Sequence, residues 1–415
     1  MSMRKMIAAA TIAASATIPM AANADTIEIN GVTWTYSVNN ASKKTVTLGG
    51  GTEQTPAIPT GTALDAATIP WTFAVDGETY TVTALADNAF QGCTKLTGTI
   101  TIPMAVTSIG RSSFKNMGLN RIASLGGITS VGGYTFETSA SLTQAFPDIS
   151  RVTDYPNGAF YGSRFSGVAW IGKNSSVEKY RAFAACPNLE GVCALGPDTV
   201  ASGTQSYTSI SVSQFANNSS KTKVIFMGPN TKAAELNTET MLGGVTGCKV
   251  YVPDNGFWDG LVTGGTDNEV IYYGASTNLN LSVDDDAGIV VATPTDEAAL
   301  VKAVEAAPLC RTYFGWTTKV NITNALEVTA GTITSEMLSE VELNSLMFMF
   351  KVNTQAQLDS ILAAVPASVP LAIDCSDAKV ELTPPIGRKI YALISDEGRN
   401  GKYRSKINGL TITFY

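Results

Sequence analysis

The chemistry open to this chain is limited first by composition, because its 415 residues contain no histidine. Triads that use histidine as the base and zinc sites with histidine ligands are therefore excluded. The pattern Ser-x-x-Lys, which places a nucleophile near a base in some acyl enzymes, begins at Ser112, Ser176 and Ser220. Because the partner motifs of those enzymes are absent, we interpret the three matches as accidents of a serine-rich chain.

Carboxylates are the remaining catalytic candidates, since a glycosidase requires only a pair of them at the right separation. The chain has 35 Asp and Glu residues, and no pair stands out by its spacing. Asp284, Asp285 and Asp286 are consecutive, whereas a calcium loop places its ligands on alternate positions around a glycine turn. We predict no catalytic residue, no metal site and no cofactor, and a carboxylate-based hydrolase is the enzymatic alternative.

The N-terminus and the charge balance indicate an exported protein. Arg4 and Lys5 precede an uncharged Ala-rich stretch that ends in Ala22-Asn23-Ala24, so we interpret residues 1–24 as a secretory signal peptide. No later stretch is long and apolar enough to span a membrane. The formal net charge is −7, without a basic block, which argues against nucleic acid as a partner. We expect an extracellular or cell-surface location, with the periplasm as the alternative.

A repeated pattern must position whatever site the chain has. Five times, the residues apolar-Thr-(Ala/Ser/Asp)-apolar precede a phenylalanine with four residues between, and a sixth phenylalanine keeps the period. We predict that these phenylalanines form a buried core spine: Phe90, Phe114, Phe136, Phe160, Phe183 and Phe215. The first five are 22–24 residues apart, a period typical of repeat arrays in which each unit buries its apolar face against its neighbours.

Each unit also has a recurring second half. A Leu or Phe and a short apolar alternation follow the phenylalanine, which predicts one short strand per repeat. The segment around the phenylalanine, DNAFQGC at 87–93, predicts one helical turn or a tight bend.

These units resemble the BspA-like bacterial leucine-rich repeats, as seen in ALADNAFQGCTKL (84–96), SIGRSSFKN (108–116) and YRAFAACPNLEGV (180–192). The resemblance covers about residues 25–275. It implies a solenoid with one strand and a short helical turn in each repeat of 22–24 residues. A β-rich N-terminal cap would occupy 25–80, and the repeats with their closing cap 81–275.

The resemblance also implies function. It points to a non-catalytic protein that binds other proteins outside the cell or at its surface, often in adhesion to host matrix or to other microbes. Carbohydrate binding or processing is the alternative. Because aromatic and arginine side chains are enriched at interface anchors, we predict five candidate ligand contacts. They are Trp170, Tyr134, Tyr155, Tyr161 and Arg121.

Six cysteines in an exported chain make disulfides feasible. Cys93 and Cys186 occupy the same position four repeats apart, roughly 19 Å at the usual strand spacing, which is too far for a bond. The candidate pairs that remain are Cys193 with Cys248 and Cys310 with Cys375.

The pattern changes near residue 275. We interpret 276–288 as a linker and 289–415 as a separate α/β or α+β domain, for which we recognise no family and predict no role. Helical segments at 296–308 and 354–366 are each flanked by apolar strand candidates, GIVVAT and RTYFGW for the first, LMFMFKV and PLAIDC for the second. This arrangement indicates a duplicated β-α-β unit.

Overall fold

The structure is a computed structural model, and it describes residues 24–415 with gaps. Only residue 24 of the predicted signal peptide is among the described residues. The gaps are 51–54, 174, 178–180, 198–206, 211–214, 235–240, 323–324, 344–348, 370, 376–389, 397–398, 408–409 and 415.

Short strands dominate the first 275 residues. In chain order they are β1 Asp25–Ile29, β2 Val32–Asn40, β3 Thr45–Leu48, β4 Leu64–Asp65, β5 Thr72–Val75, β6 Glu78–Leu85, β7 Leu96–Thr97, β8 Thr99–Thr101, β9 Ser108–Ile109, β10 Arg121–Ser124, β11 Ser130–Val131, β12 Gly167–Ile171, β13 Ser176–Val177, β14 Leu189–Ala194, β15 Thr208–Ile210, β16 Val224–Met227, β17 Thr231–Ala233, β18 Lys249–Pro253 and β19 Glu269–Tyr273.

These strands form two layers around a common core. The layer that we call the opposing sheet runs β1-β2-β3-β6-β9-β11, with β5 beside β6, and continues in β13-β15-β17. Its first three strands are antiparallel, as expected for a cap, and from β3 onward the pairing is parallel except for β5, which is antiparallel to β6. The layer that we call the repeat sheet comprises β8 and β10, then β12-β14-β16-β18-β19.

The two parts of the repeat sheet are joined by residues 144–146. The Gln144 side-chain amide exchanges two hydrogen bonds with the backbone of Ile122 on β10. The backbone N–H of Phe146 donates to the Ser166 carbonyl, next to β12. In several repeats the Val-Thr-Ser-Ile type segment also pairs with the same segment of the next repeat, in the opposing sheet. These repeats contribute a strand to each layer, so the prediction of one strand per repeat was wrong for them.

The segments around the first five phenylalanines are turns, so of the two predicted alternatives the tight bend is confirmed and the helical turn was wrong. Residues two before the phenylalanine have left-handed backbones in five successive repeats: Asn88, Ser112, Tyr134, Gly158 and Arg181, with φ between 55° and 61°. The residues two after it do the same, at Gly92, Asn116, Thr138, Gly162, Ala185 and Asn217. A left-handed residue cannot continue a right-handed helix, so the phenylalanine is held between two reversals of the chain.

The six spine phenylalanines are fully buried and form one column. Consecutive rings stack with centroids 5.1 to 6.2 Å apart. Backbone hydrogen bonds keep the column in register: the Phe90 N–H donates to the Ser113 carbonyl at 2.8 Å, and the Phe136 N–H to Ala159 at 2.8 Å. Phe114 and Phe160 donate in the same way to Thr135 and Ala182, so each of the first four phenylalanines bonds to the residue just before its counterpart in the next repeat.

The remaining chain contains helices and further strands. They are β20 Leu279–Asp284, β21 Ile289–Pro294, α1 Glu297–Leu309, β22 Thr317–Val320, β23 Ala325–Glu327, α2 Ser335–Ser339, β24 Val341–Leu343, β25 Met349–Lys351, α3 Gln355–Ala364, β26 Leu371–Cys375, β27 Ile390–Asp396, β28 Arg399–Ile407 and β29 Leu410–Phe414. Two sheets result, β20-β21-β22-β24 and β23-β25-β26-β27-β28-β29.

Both expected helices lie between parallel strands, α1 between β21 and β22 and α3 between β25 and β26. The helices begin at side-chain caps, Asp296 for α1 and Thr354 with Gln357 in a capping box for α3. RTYFGW is not a strand: residues 310–314 form a π-helical turn after α1. No helix in the described ranges is long and apolar enough to cross a membrane.

The C-terminal part and the repeats share a core. One buried cluster contains side chains from both, among them Phe226 of the repeat sheet and Trp316 beside β22. The structure therefore does not show a separate C-terminal domain. The segment 276–288, interpreted as a linker, includes β20, which pairs with β21 along its whole length.

The candidate disulfides are not formed, since all four of those cysteines are free and buried. Cys193 and Cys248 lie in different core clusters, on opposite faces of the repeat sheet, so their thiols cannot meet. Cys310 follows α1, whereas Cys375 ends β26 in the other sheet.

We expect Phe136→Ala to lower the free energy of unfolding by about 3–5 kcal/mol, because its ring is fully buried between Phe114 and Phe160. Chemical denaturation followed by circular dichroism would measure the change. Thr101→Ala, at an exposed position on β8, is the control and should change stability by less than about 0.5 kcal/mol. Equal effects of the two substitutions would contradict the buried column.

We expect the thiols to be unreactive in the folded protein. Burial raises the pKa of Cys93 and Cys186 to about 11 and that of Cys248 and Cys310 to about 12, so little thiolate exists at pH 8. Titration with a thiol reagent at pH 8 should detect almost none in native protein and six after denaturation. Two or more thiols missing after denaturation without reductant would show that a disulfide forms.

Candidate functional site

The repeat sheet has two faces, and we call the one turned away from the opposing sheet its outer face. Over β8 and β10 this face carries the exposed side chains of Thr99, Thr101, Arg121 and Ala123, which alternate with buried Ile100 and Ile122. Over the later strands the outer face is apolar and buried. The residues concerned are Cys193, Val224, Phe226, Tyr251, Ile271 and Tyr273.

The C-terminal part covers this apolar half of the outer face. The Phe226 ring meets Trp316 edge to face, with centroids 5.5 Å apart, and lies 6.4 Å from Phe314. Tyr273 stacks on Phe226 at 5.6 Å, and its hydroxyl donates to the Met227 carbonyl at 2.6 Å. The outer face is thus closed over β14, β16, β18 and β19 and open over β8 and β10.

Trp170 stands where the cover ends. It lies on β12, directly beside Cys193 of β14. Phe314 and Trp316 contact its ring edge to face, at centroid distances of 5.7 and 5.9 Å. The ring is half-buried, so this predicted contact residue belongs partly to the shared core and partly to the surface.

A cavity of about 570 Å³ opens beside Trp170. Binding pockets for small ligands commonly have volumes of about 300–1,000 Å³. Its apolar lining includes Trp170, Ile171 and Leu195, and its polar lining comes from the turns between the two repeat layers and from the β20–β21 hairpin. The polar side chains are Thr129, Ser150, Arg151, Thr153, Lys173, Ser175 and Asp285.

One ion pair in the lining of the cavity joins two distant parts of the chain. The Lys173 Nζ lies 3.2 Å from both carboxylate oxygens of Asp285, and about a third of each side chain is exposed. Asp285 lies in the segment interpreted as a linker, where Asp284 forms a turn by accepting the N–H of Ala287. Asp285 instead connects the C-terminal part to the repeats.

The other predicted contact residues fall into separate places. Tyr155 is fully buried and donates its hydroxyl to the Ile149 carbonyl at 2.8 Å, so it is a core residue, and its prediction as a contact was wrong. Arg121 is exposed on the outer face of β10. The five residues therefore do not form a single surface.

Tyr134 and Tyr161 lie on the turns that carry the phenylalanines. The Tyr134 ring lies near the Arg111 and Lys115 cations, at 5.4 and 5.9 Å from its centroid. It also passes so close to Gly158 that a Cβ there would come within 2.6 Å of the ring. Tyr161 is half-buried beside the same glycine.

Sequence reasoning missed Lys173, Asp285 and the buried aromatic residues of the outer face, although one signal was present. The strands VIFM (224–227), KVYVP (249–253) and EVIYY (269–273) are continuous apolar runs, unlike the alternating TIT at 99–101. Continuous runs are typical of strands covered on both faces. They could have indicated that another part of the chain covers these repeats.

The site contains no arrangement that activates a nucleophile. Burial raises the pKa of the Cys193 thiol and of the Tyr251 and Tyr273 hydroxyls. Within the described residues, no cluster of acidic and cysteine side chains could hold a metal ion. The cavity offers hydrogen-bonding groups and an aromatic ring, which suit binding.

Comparison with known families agrees with the repeat geometry. Residues 78–190 match the model of the BspA type leucine rich repeat region in six copies. Residues 78–190 therefore carry BspA-type leucine-rich repeats. The BspA-type region thus begins at β6 and ends within β14, and the stacked strands continue beyond it to β19. No curated protein matches the chain.

Several solved structures also match the chain at low identity. A leucine rich cell surface protein from Faecalibacterium prausnitzii is 15% identical, with 86% of this chain and 76% of that chain covered and a TM-score of 0.35. A leucine-rich repeat protein from Bacteroides ovatus is 16% identical, with 88% and 90% covered and a TM-score of 0.31. The pneumococcal vaccine antigen PcpA is 12% identical, with 86% and 98% covered and a TM-score of 0.31.

We expect a chain that ends at residue 276 to expose the apolar half of its outer face, including Phe226 and Tyr251. It should bind a hydrophobic dye strongly and self-associate, because large contiguous apolar patches are rare on soluble monomers. Dye fluorescence and analytical ultracentrifugation, with the chain from residue 25 to 415 as control, would test this. A monodisperse fragment without dye binding would contradict the shared core.

Proposed function

We propose that this protein is a non-catalytic, exported binding protein whose repeats form an elongated solenoid that recognises another protein. The observation that carries the proposal is that the outer face of the repeat sheet is closed over β14, β16, β18 and β19 and open over β8 and β10. A face left uncovered beside a covered one is available to a partner outside the chain.

The open half has the character of a recognition surface. Its side chains are two threonines, one alanine and one arginine, held on strands whose backbones are paired with each other. The threonines and the alanine lose little conformational entropy when they meet a partner, because short side chains have few rotamers to lose. Arg121 supplies the planar, multidentate donor group that is enriched at protein interfaces.

Export is supported by the signal-like N-terminus, where Arg4 and Lys5 precede the uncharged stretch ending at Ala24. We place the protein outside the cell or at its surface, with the periplasm as the alternative. An adhesion-like role, with a host matrix or microbial surface protein as the partner, fits an exported chain with a rigid open face.

A non-catalytic role is supported by the whole sequence. The chain has no histidine to serve as a base near neutral pH. The buried tyrosines and cysteines around Phe226 have raised pKa values, which disfavours the charged forms needed for nucleophilic attack. Trp170, Tyr134, Tyr161 and Arg121 remain our proposed contact residues.

Because Arg121 lies on the open half of the outer face, we expect reversal of its charge to weaken the binding of a protein partner. We expect the chain from residue 25 to 415 to bind at least one immobilised matrix protein saturably, and Arg121→Glu to weaken that binding at least about tenfold, or about 1.4 kcal/mol. Biosensor titration against a panel of matrix proteins would measure it.

The matched control is Arg164→Glu, because Arg164 is also exposed but does not lie on the outer face of β8 or β10. It should bind like the unchanged chain. The proposal is contradicted if no matrix protein binds saturably, or if Arg164→Glu and Arg121→Glu weaken binding equally.

A further inference from the structure

We propose that the cavity beside Trp170 is a binding site for a neutral sugar unit, which goes beyond the protein recognition assigned to the open half of the repeat sheet. The cavity lies at the end of that open half, where the C-terminal part begins to cover the outer face. Its volume of about 570 Å³ can hold one or two hexose rings.

The hydroxyl groups that line the cavity already use their protons within the protein. Thr129 donates to the Thr107 carbonyl at 3.4 Å, and Thr153 donates to the Thr129 carbonyl at 3.2 Å. Ser175 donates to the Val152 carbonyl. Towards the cavity these side chains therefore offer oxygen lone pairs, and a ligand must bring its own donors to satisfy them.

Ser150 also lines the cavity, and its backbone N–H donates to the Asp148 carboxylate at 2.9 Å. Three hydroxyls of the lining, those of Thr129, Thr153 and Ser175, are thus committed as donors to the protein.

The charged groups of the lining supply the complementary set. Lys173 and Arg151 are donors only, and Asp285 is an acceptor only. Because Lys173 and Asp285 form an ion pair at 3.2 Å, a strong donor and a strong acceptor stand side by side. Two neighbouring ligand hydroxyls can accept from Lys173 and donate to Asp285 at the same time.

This pattern favours a ligand that both donates and accepts. A carboxylate or sulfate can accept from Lys173 and Arg151, but it has no proton to give to Asp285 or to the three hydroxyl oxygens. An ammonium can donate to Asp285, but it is repelled by Lys173 and Arg151. A hydroxyl group both donates and accepts, so a neutral polyol can pair with the donor-only and the acceptor-only groups alike.

Among polyols, the Trp170 side chain favours one that contains a sugar ring. Phe314 and Trp316 hold its indole edge to face, so the ring is already fixed before a ligand enters. The rest of the apolar wall, Ile171 and Leu195, lies next to it. A pyranose presents C–H groups on one face and hydroxyls around its edge, which matches an apolar floor with a polar rim.

The test uses the chain from residue 25 to 415 on an array of neutral oligosaccharides printed beside their sialylated and sulfated forms. We expect saturable binding to at least one neutral glycan, and titration with that glycan in solution should quench tryptophan fluorescence. Asp285→Asn combined with Lys173→Met should weaken the binding at least tenfold.

The matched control changes an ion pair that does not line the cavity, Lys319 with Glu342 at 3.4 Å, to Lys319→Met with Glu342→Gln. It should leave glycan binding unchanged, as should Arg121→Glu, which separates this site from the open half of the outer face. No binding to any neutral glycan, binding to the acidic forms alone, or equal binding by the Asp285–Lys173 variant would overturn the proposal.

Discussion

The backbone N–H of each of the first four spine phenylalanines donates to the residue before its counterpart in the next repeat, and the rest of the structure depends on this register. Two left-handed residues hold each of the first five phenylalanines between chain reversals, so the ring can enter the core in only one direction. Because side chains alternate along a strand, a slip of one residue would turn the buried Ile122 outward and Arg121 into the core. The column of rings therefore also determines what the outer face displays.

The register between repeats stays constant along the repeat sheet, while the residues on its outer face change from polar to apolar. Where it becomes apolar, Trp316 and Phe314 cover it, and the burial of aromatic rings such as Phe226 and Tyr251 joins the two parts of the chain. The cavity exists because this cover stops at Trp170. Structure and proposed binding thus share one cause, the point along the repeats where the outer face changes from polar to apolar.

Prediction from sequence succeeded where the signal was local and repeated. The spacing of the phenylalanines follows from a unit that cannot bury its own apolar face, and the two capped helices follow from short-range patterns at Asp296 and Thr354. It failed where a residue type has two uses. Tyr155 has a phenol that suits an interface, yet its hydroxyl is satisfied by the Ile149 carbonyl inside the core. The cysteines suited disulfides by compartment, but Cys193 and Cys248 lie on opposite faces of one sheet.

The sequence by itself determined the repeat period, the buried spine, the absence of histidine chemistry and the places of α1 and α3, because each depends on residue type or on neighbours a few positions apart. Only the tertiary structure decided which half of the outer face is open and where a cavity forms. Lys173 and Asp285 are 112 residues apart in the chain, and no periodic pattern links them. Their meeting follows from the burial of an apolar sheet face by a distant segment, which is an interaction between surfaces rather than between neighbours along the chain.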